Sequence, residues 1–158
     1  MKGTIKTNKG DITIDFFDTL TPNTVNNFVK LAKSGFYNDV KFHRIIKNFM
    51  IQGGDPLTKD DTQKHKWGTG DPGYKFDDEI GPANSNGIGT ISMANAGRNT
   101  NGSQFFINVA DNHFLNTKHT SFGQVVDGMD VVTAIATTAT DGRDQPLEPV
   151  IIESIVFE

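Results

Sequence analysis

The stretch from Lys41 to Asp55, KFHRIIKNFMIQGGD, contains two short apolar runs that a polar step separates and a pair of glycines closes. Aromatic and β-branched residues dominate both runs, which predicts strands over Lys41–Ile46 and Phe49–Gln52. Polar side chains nevertheless stand inside these strands, among them Arg44 and Gln52. Either a strand of a barrel core with an exposed arginine or the wall of a ligand site would explain this pattern.

The rest of the chain is also typical of an antiparallel, strand-rich protein. Its 14 isoleucines and 10 valines against 5 leucines favour strands over helices. Runs with apolar–polar alternation, separated by turn residues, predict six further strands. These strands are Thr4–Thr7, Asp11–Phe16, Gly89–Met93, Gln104–Val109, Phe122–Val126 and Val150–Phe157.

Two helices are predicted among these strands. Thr21 and Pro22 are a cap residue and a first-turn proline, and the helical spacing that follows ends near Gly35. Asp127 is expected to cap a second, short helix. Residues 56–87 hold many glycines, prolines and charges, which predicts a long loop that is functional or mobile. Eight strands with two helices suggest one domain over residues 1–158, a closed antiparallel barrel whose open ends the helices cover.

The composition excludes several classes of protein. The chain has 158 residues and no cysteine, so it has neither disulfides nor thiolate ligands and fits a reducing compartment. A net charge of −4 without a basic run argues against nucleic acid as a partner. No segment has the length of a signal-peptide core or a membrane span. We therefore expect a soluble cytoplasmic monomer that binds neither nucleic acid nor membranes.

Common catalytic and metal-binding motifs do not occur in the sequence. It contains no G-x-S-x-G elbow, Walker loop, H-E-x-x-H or EF-hand pattern. The spacing of His113 and His119 matches no common zinc site. The glycine-rich segment Gly68–Gly73 neither follows a clear strand nor opens a helix, which indicates a turn cluster rather than a phosphate loop. We expect no metal and no cofactor.

A second segment, Met93–Ile107, also combines polar and apolar residues: MANAGRNTNGSQFFI. Together with the first segment it offers one cation, one amide and three soft apolar groups, namely Arg44, Gln52, Phe49, Met50 and Phe106. This set suits an uncharged ligand that has a ring and a carbonyl group.

These two segments, with Phe114-Leu115 and Lys118–Gly123, resemble the cyclophilin family of peptidyl-prolyl isomerases. The matching strings are long, and the resemblance extends from about Gly3 to Phe157. It implies an eight-stranded antiparallel barrel closed by two helices. It also implies catalysis of cis/trans isomerisation at the bond before proline, without cofactor or metal.

The resemblance implies a role for each matching site residue. Arg44 is the catalytic arginine, and a proline pocket lies beside it with an aromatic and histidine rim. Other residues hold the substrate chain or support those that do. The pocket is Phe49, Met50, Phe106 and Leu115; the rim is Phe114 and His119; the chain is held by Gln52 and the Ala94-Asn95 backbone; and the support is His43 and Gln104.

The chain departs from the family pattern at a few positions. Phe114 stands where many members have tryptophan, Arg98 stands where proline is frequent, and Leu57–Lys66 is longer than in the smallest members. The implied partners are proline-containing peptides, unfolded or client proteins, and cyclosporin-like inhibitors with reduced affinity. A proline-peptide binding or chaperone module that uses the same groove is the alternative. The presence of Arg44 favours the enzyme, because a binder needs no donor over the prolyl nitrogen.

Overall fold

The computed structural model describes the whole chain, residues Met1–Glu158. It contains eight strands, two α-helices and three short 3₁₀ helices. The strands are β1 Lys2–Thr7, β2 Gly10–Phe16, β3 Arg44–Ile46, β4 Met50–Gly53, β5 Thr90–Met93, β6 Phe105–Asn108, β7 Ser121–Asp127 and β8 Ile152–Phe157. The helices are α1 Pro22–Lys33 and α2 Met129–Ala136, with 3₁₀ helices at Pro56–Lys59, Asp61–Lys66 and His113–Leu115.

The strands form one antiparallel sheet in the order β3-β4-β6-β5-β7-β2-β1-β8. Register places Ile45, Ile51, Ile107 and Ile91 side by side on four neighbouring strands, and all four side chains are buried. They belong to a core cluster of 24 residues on the concave face of the curled sheet. Helix α1 packs against β8, and α2 packs against β2, β3 and β4.

The predicted closure of the barrel is wrong. The sheet curls into a half-barrel whose two end strands, β3 and β8, do not pair. β3 is only three residues long, and its Ile45 amide donates to the carbonyl of Asp144 rather than to β8. A short seam of residues 39–42 against residues 150–152 connects the two ends outside the ladder, with one isolated bridge between Lys41 and Ile151.

The local predictions differ from the structure mainly at the ends of elements. Helix α1 begins at Pro22 as expected, but α2 is capped by Gly128, whose φ of 89° is in the left-handed region, and not by Asp127, which ends β7. A Cβ at position 128 would overlap the carbonyl oxygen of Asp11, so a glycine is required there. No helix is both long and apolar enough to span a membrane.

Candidate active site

The outer face of β3, β4 and β6 presents a row of three side chains. Arg44 is opposite Gln52 in the ladder between β3 and β4, and Gln52 is opposite Phe106 in the ladder between β4 and β6. Successive residues of a strand face opposite sides of a sheet, so these three face away from the row of core isoleucines. Phe105 and Ile107, which alternate with Phe106 along β6, belong to the buried core cluster.

This row forms one wall of a cleft of about 180 Å³. Nine residues from four separate segments line the cleft, and all nine are among the predicted site residues. They are Arg44, Phe49, Met50, Gln52, Ala94, Asn95, Phe106, Leu115 and His119.

The cleft has an apolar floor. Met50 and Phe106 are only 2% and 4% exposed, yet neither belongs to the core cluster. Phe49 stacks on Phe114 at the rim, with 6.1 Å between the ring centroids. A thioether and aromatic rings together form an apolar surface against which a small saturated ring can pack.

Arg44 lies at the edge of the cleft and is exposed. Its Nη1 donates a hydrogen bond to Gln52 Oε1 at 3.3 Å. None of the salt bridges in the chain includes Arg44, so no carboxylate neutralises its charge. The guanidinium therefore retains free N–H donors that a ligand in the cleft can accept.

The opposite side of the cleft offers backbone groups. The Asn95 side chain donates to the carbonyl of Lys118 and accepts from the amide of Gly97, which fixes its loop. The main-chain N–H and C=O of Asn95 form no hydrogen bond within the chain. An extended peptide could pair with both groups, as an added strand does.

The His119 ring closes one end of the cleft. Its Nδ1 lies 2.9 Å from the Met93 carbonyl oxygen, which can only accept, so Nδ1 bears the proton. The ring also contacts Phe106 edge-on, with 5.3 Å between centroids. These two contacts hold the imidazole in one orientation as a wall of the cleft.

Three predicted site residues lie outside the lining of this cleft. Phe114 is 69% exposed at the rim, and Gln104 lines an adjoining cavity of about 300 Å³ that also contains Gln52, Ala94 and Asn95. His43 is buried beside Gly68 with Nδ1 unpaired. Burial lowers the pKa of His43 to about 4, so this side chain is neutral at physiological pH.

A second group of residues lies behind the cleft, and the sequence did not predict it. Gln104 binds the carbonyl oxygens of Gly68 and Gly70, and the Asp55 carboxylate accepts hydrogen bonds from the amides of the same two glycines. The glycine-rich composition of Gly68–Gly73 was the only signal, and it predicted no more than a turn. No group of three or more histidine or acidic side chains could hold a metal ion.

The cleft, its arginine and the sheet agree with what comparison of the whole chain finds. A family model described as cyclophilin type peptidyl-prolyl cis-trans isomerase matches residues 3–157. A probable peptidyl-prolyl cis-trans isomerase A of Mycobacterium leprae is 48% identical over 98% of this chain and 90% of the relative. A peptidyl-prolyl cis-trans isomerase of Schizosaccharomyces pombe is 46% identical over 97% of both chains.

Other relatives are longer or have known structures. A peptidyl-prolyl cis-trans isomerase-like 2 protein of Gibberella zeae is 45% identical, and this chain spans only 26% of its length. The crystal structure of a Cryptosporidium parvum cyclophilin, solved in the presence of the dipeptide Ala-Pro, superposes with a TM-score of 0.92 at 36% identity. The superposition covers 100% of this chain and 99% of that chain.

Together these findings define a cyclophilin-type β-sheet protein with a partly apolar cleft. The chain belongs to the cyclophilin family of peptidyl-prolyl cis-trans isomerases. Its function is that of the family, an isomerase that acts on the peptide bond before proline.

Proposed function

We propose that the cleft binds the proline ring of an X-Pro segment and that Arg44 donates a hydrogen bond to the prolyl nitrogen as the bond rotates. The observation behind this proposal is the row of Arg44, Gln52 and Phe106, which sets a free guanidinium beside an apolar floor. The Cryptosporidium parvum relative was solved in the presence of Ala-Pro, which supports a dipeptide of this kind as the minimal ligand.

The chemistry of the bond explains why an arginine suits this position. Amide resonance gives rotation a barrier of ~18–20 kcal/mol. In the twisted transition state the prolyl nitrogen loses its conjugation and gains an available lone pair, which a donor can bind. Arg44 therefore stabilises the transition state more than the planar amide, and it does so without transferring a proton.

The other residues of the cleft restrict rotation to a single bond. Met50 and Phe106 hold the ring, while Gln52 and the Asn95 backbone hold the carbonyl side of the substrate. A turnover of ~10³ s⁻¹ requires a barrier of ~13 kcal/mol, which is ~5–7 kcal/mol below the uncatalysed value. One preorganised charged donor together with orientation of the substrate can supply this difference.

The substrates that this cleft suits are exposed X-Pro segments of unfolded or flexible client proteins in the cytoplasm. The cleft is open to solvent and recognises the ring and the main chain, so the substrate needs no defined fold. Accelerating X-Pro rotation assists folding because uncatalysed rotation takes tens to hundreds of seconds and can limit the folding rate.

The test of this proposal is the Arg44→Ala variant in an NMR exchange assay on a short Ala-Pro peptide. We expect kcat/KM to fall at least ~10²-fold, the usual cost of removing one essential transition-state donor. Arg143→Ala is the matched control, because Arg143 is exposed and lines neither the cleft nor the adjoining cavity. Circular dichroism of both variants should match the parent chain. Full activity of Arg44→Ala would show that Arg44 is not the catalytic donor.

A further inference from the structure

A chain of hydrogen bonds connects Arg44 to the backbone behind the cleft. Arg44 Nη1 donates to Gln52 Oε1 at 3.3 Å, and Gln52 Nε2 donates to Gln104 Oε1 at 3.0 Å. Gln104 Nε2 then donates to the carbonyl oxygens of Gly68 and Gly70, each at 3.0 Å. The arginine and the loop at residues 68–70 are thus the two ends of one network.

The loop end determines the direction of this network. Each glutamine amide has one donor end and one acceptor end. Two backbone carbonyls require Gln104 to present its nitrogen to the loop, so its oxygen faces Gln52. Gln52 must then present nitrogen to Gln104 and oxygen to Arg44. If Gln104 were reversed, its oxygen would meet two carbonyl oxygens and Gln52 would turn its NH₂ group towards the guanidinium.

The loop itself is held by one buried carboxylate. Asp55 is fully buried, and its Oδ2 accepts hydrogen bonds from the Gly68 amide at 2.6 Å and the Gly70 amide at 3.1 Å. Its Oδ1 accepts from the Leu57 amide at 2.8 Å. None of the salt bridges includes Asp55, so these backbone amides are its hydrogen-bond partners.

The two glycines are required for this arrangement. Gly68 has a φ of 101°, which side chains rarely adopt. A Cβ at position 70 would overlap the Asp55 carboxylate. The backbone can therefore approach Asp55 closely enough to donate its amides while its carbonyls face Gln104.

We propose that Asp55 is a positioning residue for Arg44. By binding the amides of Gly68 and Gly70 it fixes the carbonyls that orient Gln104, and through Gln104 and Gln52 it keeps the guanidinium aimed into the cleft. An exposed arginine that is free to rotate loses rotamer freedom when it binds the transition state. A guanidinium that is already aligned avoids this cost, so alignment lowers the barrier to rotation of the substrate bond rather than improving substrate binding. This inference rests on the catalytic role proposed for Arg44.

The test combines Asp55→Asn with Arg44→Ala in a double-mutant cycle. The asparagine keeps the size of the side chain but turns an NH₂ group towards backbone amides. We expect kcat to fall about tenfold while KM stays within twofold, because a misplaced catalytic group slows the reaction and the apolar floor is unchanged. In the Arg44→Ala background the same substitution should have no further effect on kcat/KM. Asp60→Asn is the matched control, since exposed Asp60 caps the 3₁₀ helix Asp61–Lys66 through the Thr62 amide and forms no hydrogen bond with Gln104.

A second variant covers the case in which Asp55→Asn does not fold. Gln104→Met breaks the network one step closer to Arg44 and leaves the buried carboxylate and its amides intact. It should give the same loss of kcat and the same absence of effect in the Arg44→Ala background. The NMR signal of Arg44 Nε–H should broaden in either variant.

The outcomes separate this inference from the proposed function. If Arg44→Ala is inactive but Asp55→Asn and Gln104→Met keep the parent kcat, Arg44 is catalytic and Asp55 does not position it. If either variant lowers activity equally with and without Arg44, its effect does not pass through the arginine and the inference is wrong. Full activity of Arg44→Ala would instead overturn the proposed function itself.

Discussion

At the scale of single residues, Phe114 lies at the rim of the cleft, where the resemblance to cyclophilins implies a tryptophan in many members. It is 69% exposed and stacks on Phe49 beside the cleft. A tryptophan at this position would keep the aromatic face and add an indole N–H donor. One such hydrogen bond is worth ~0.5–1.5 kcal/mol, or up to roughly tenfold in affinity. We expect Phe114→Trp to bind cyclosporin more tightly than the parent chain by this factor, measured by calorimetry.

The same variant provides its own control for the cyclosporin prediction. Its turnover of a short Ala-Pro peptide should stay within about twofold, because the floor of the cleft is not changed. Equal dissociation constants for cyclosporin in the two proteins would show that position 114 does not control inhibitor affinity.

His43 links stability to pH. Burial lowers its pKa to about 4 in the folded chain, whereas the unfolded chain binds this proton near the ordinary value of 6.5. The unfolded state therefore gains the proton first as the pH falls, and the stabilisation is lost between about pH 6.5 and pH 4. We expect His43 to contribute a loss of roughly 2 kcal/mol in the free energy of unfolding from pH 7 to pH 5, measured by urea denaturation.

Carboxylates also titrate in this range, so the comparison must be made with a variant. His43→Gln removes the titrating ring and should show a smaller loss between the same two pH values, by that amount. A parent chain and a variant with identical pH dependence would mean that His43 does not remain neutral in the folded protein.

The site residues illustrate what a strand pattern can predict. Arg44 and Gln52 could be found because polar groups interrupt apolar runs, whereas Phe106 was assigned to the pocket through the resemblance to the cyclophilin family. The role of Asp55 could not be found this way, because its partners Gly68 and Gly70 come from a loop 13 and 15 residues further along the chain. Only the folded backbone shows that this carboxylate, rather than solvent, satisfies their amides.

At the scale of elements, helix α1 depends on a residue far away in the sequence. The hydroxyl of its N-cap residue, Thr21, donates to the Phe17 carbonyl and caps nothing. Glu79 instead accepts from the amides of Asn23 at 3.3 Å and Thr24 at 2.6 Å. The sequence predicted where the helix begins, because proline fixes the first turn, but it could not predict a cap from 55 residues away.

This contact leads to a prediction about stability. Glu79→Ala removes the acceptor for two helix amides, and we expect the free energy of unfolding to fall by ~0.5–2 kcal/mol, as for other lost N-caps. Glu153→Ala is the control, because Glu153 is exposed on β8 and should change stability by less than ~0.5 kcal/mol. Urea denaturation of both variants measures the difference. A Glu79→Ala chain as stable as its control would show that solvent caps the helix equally well.

At the scale of the whole molecule, the number and type of strands could be predicted but their closure could not. Alternation within each run shows that a strand exists and which face is buried. Whether the first and last strands of the sheet meet depends on curl and on the length of β3, which no local pattern contains. The structure leaves β3 and β8 apart and connects them through the seam of residues 39–42 and 150–152.

The seam should therefore be where the sheet opens first. Its backbone bonds, from Asp39 to the Ile152 carbonyl and from Phe42 to the Val150 carbonyl, connect a segment that belongs to no strand to the start of β8 and the residues before it. Strand β6, by contrast, pairs with β4 and β5 on its two sides. In native-state hydrogen exchange we expect the amides of Asp39 and Phe42 to exchange through openings that cost a few kcal/mol less than those exposing β6.

A single side chain anchors one side of this seam to the β1–β2 turn and allows a sharper test of the prediction. Asn8 donates to the Pro149 carbonyl at 3.0 Å and accepts from the Ile151 amide at 2.8 Å, so it ties the β1–β2 turn to the segment before β8. Asn8→Ala should lower protection at the seam while exchange within β6 stays unchanged. Asn26→Ala, on the exposed side of α1, should alter neither region. Equal opening free energies at the seam and in β6 would mean that the half-barrel opens as one cooperative unit, with the seam no weaker than the ladder.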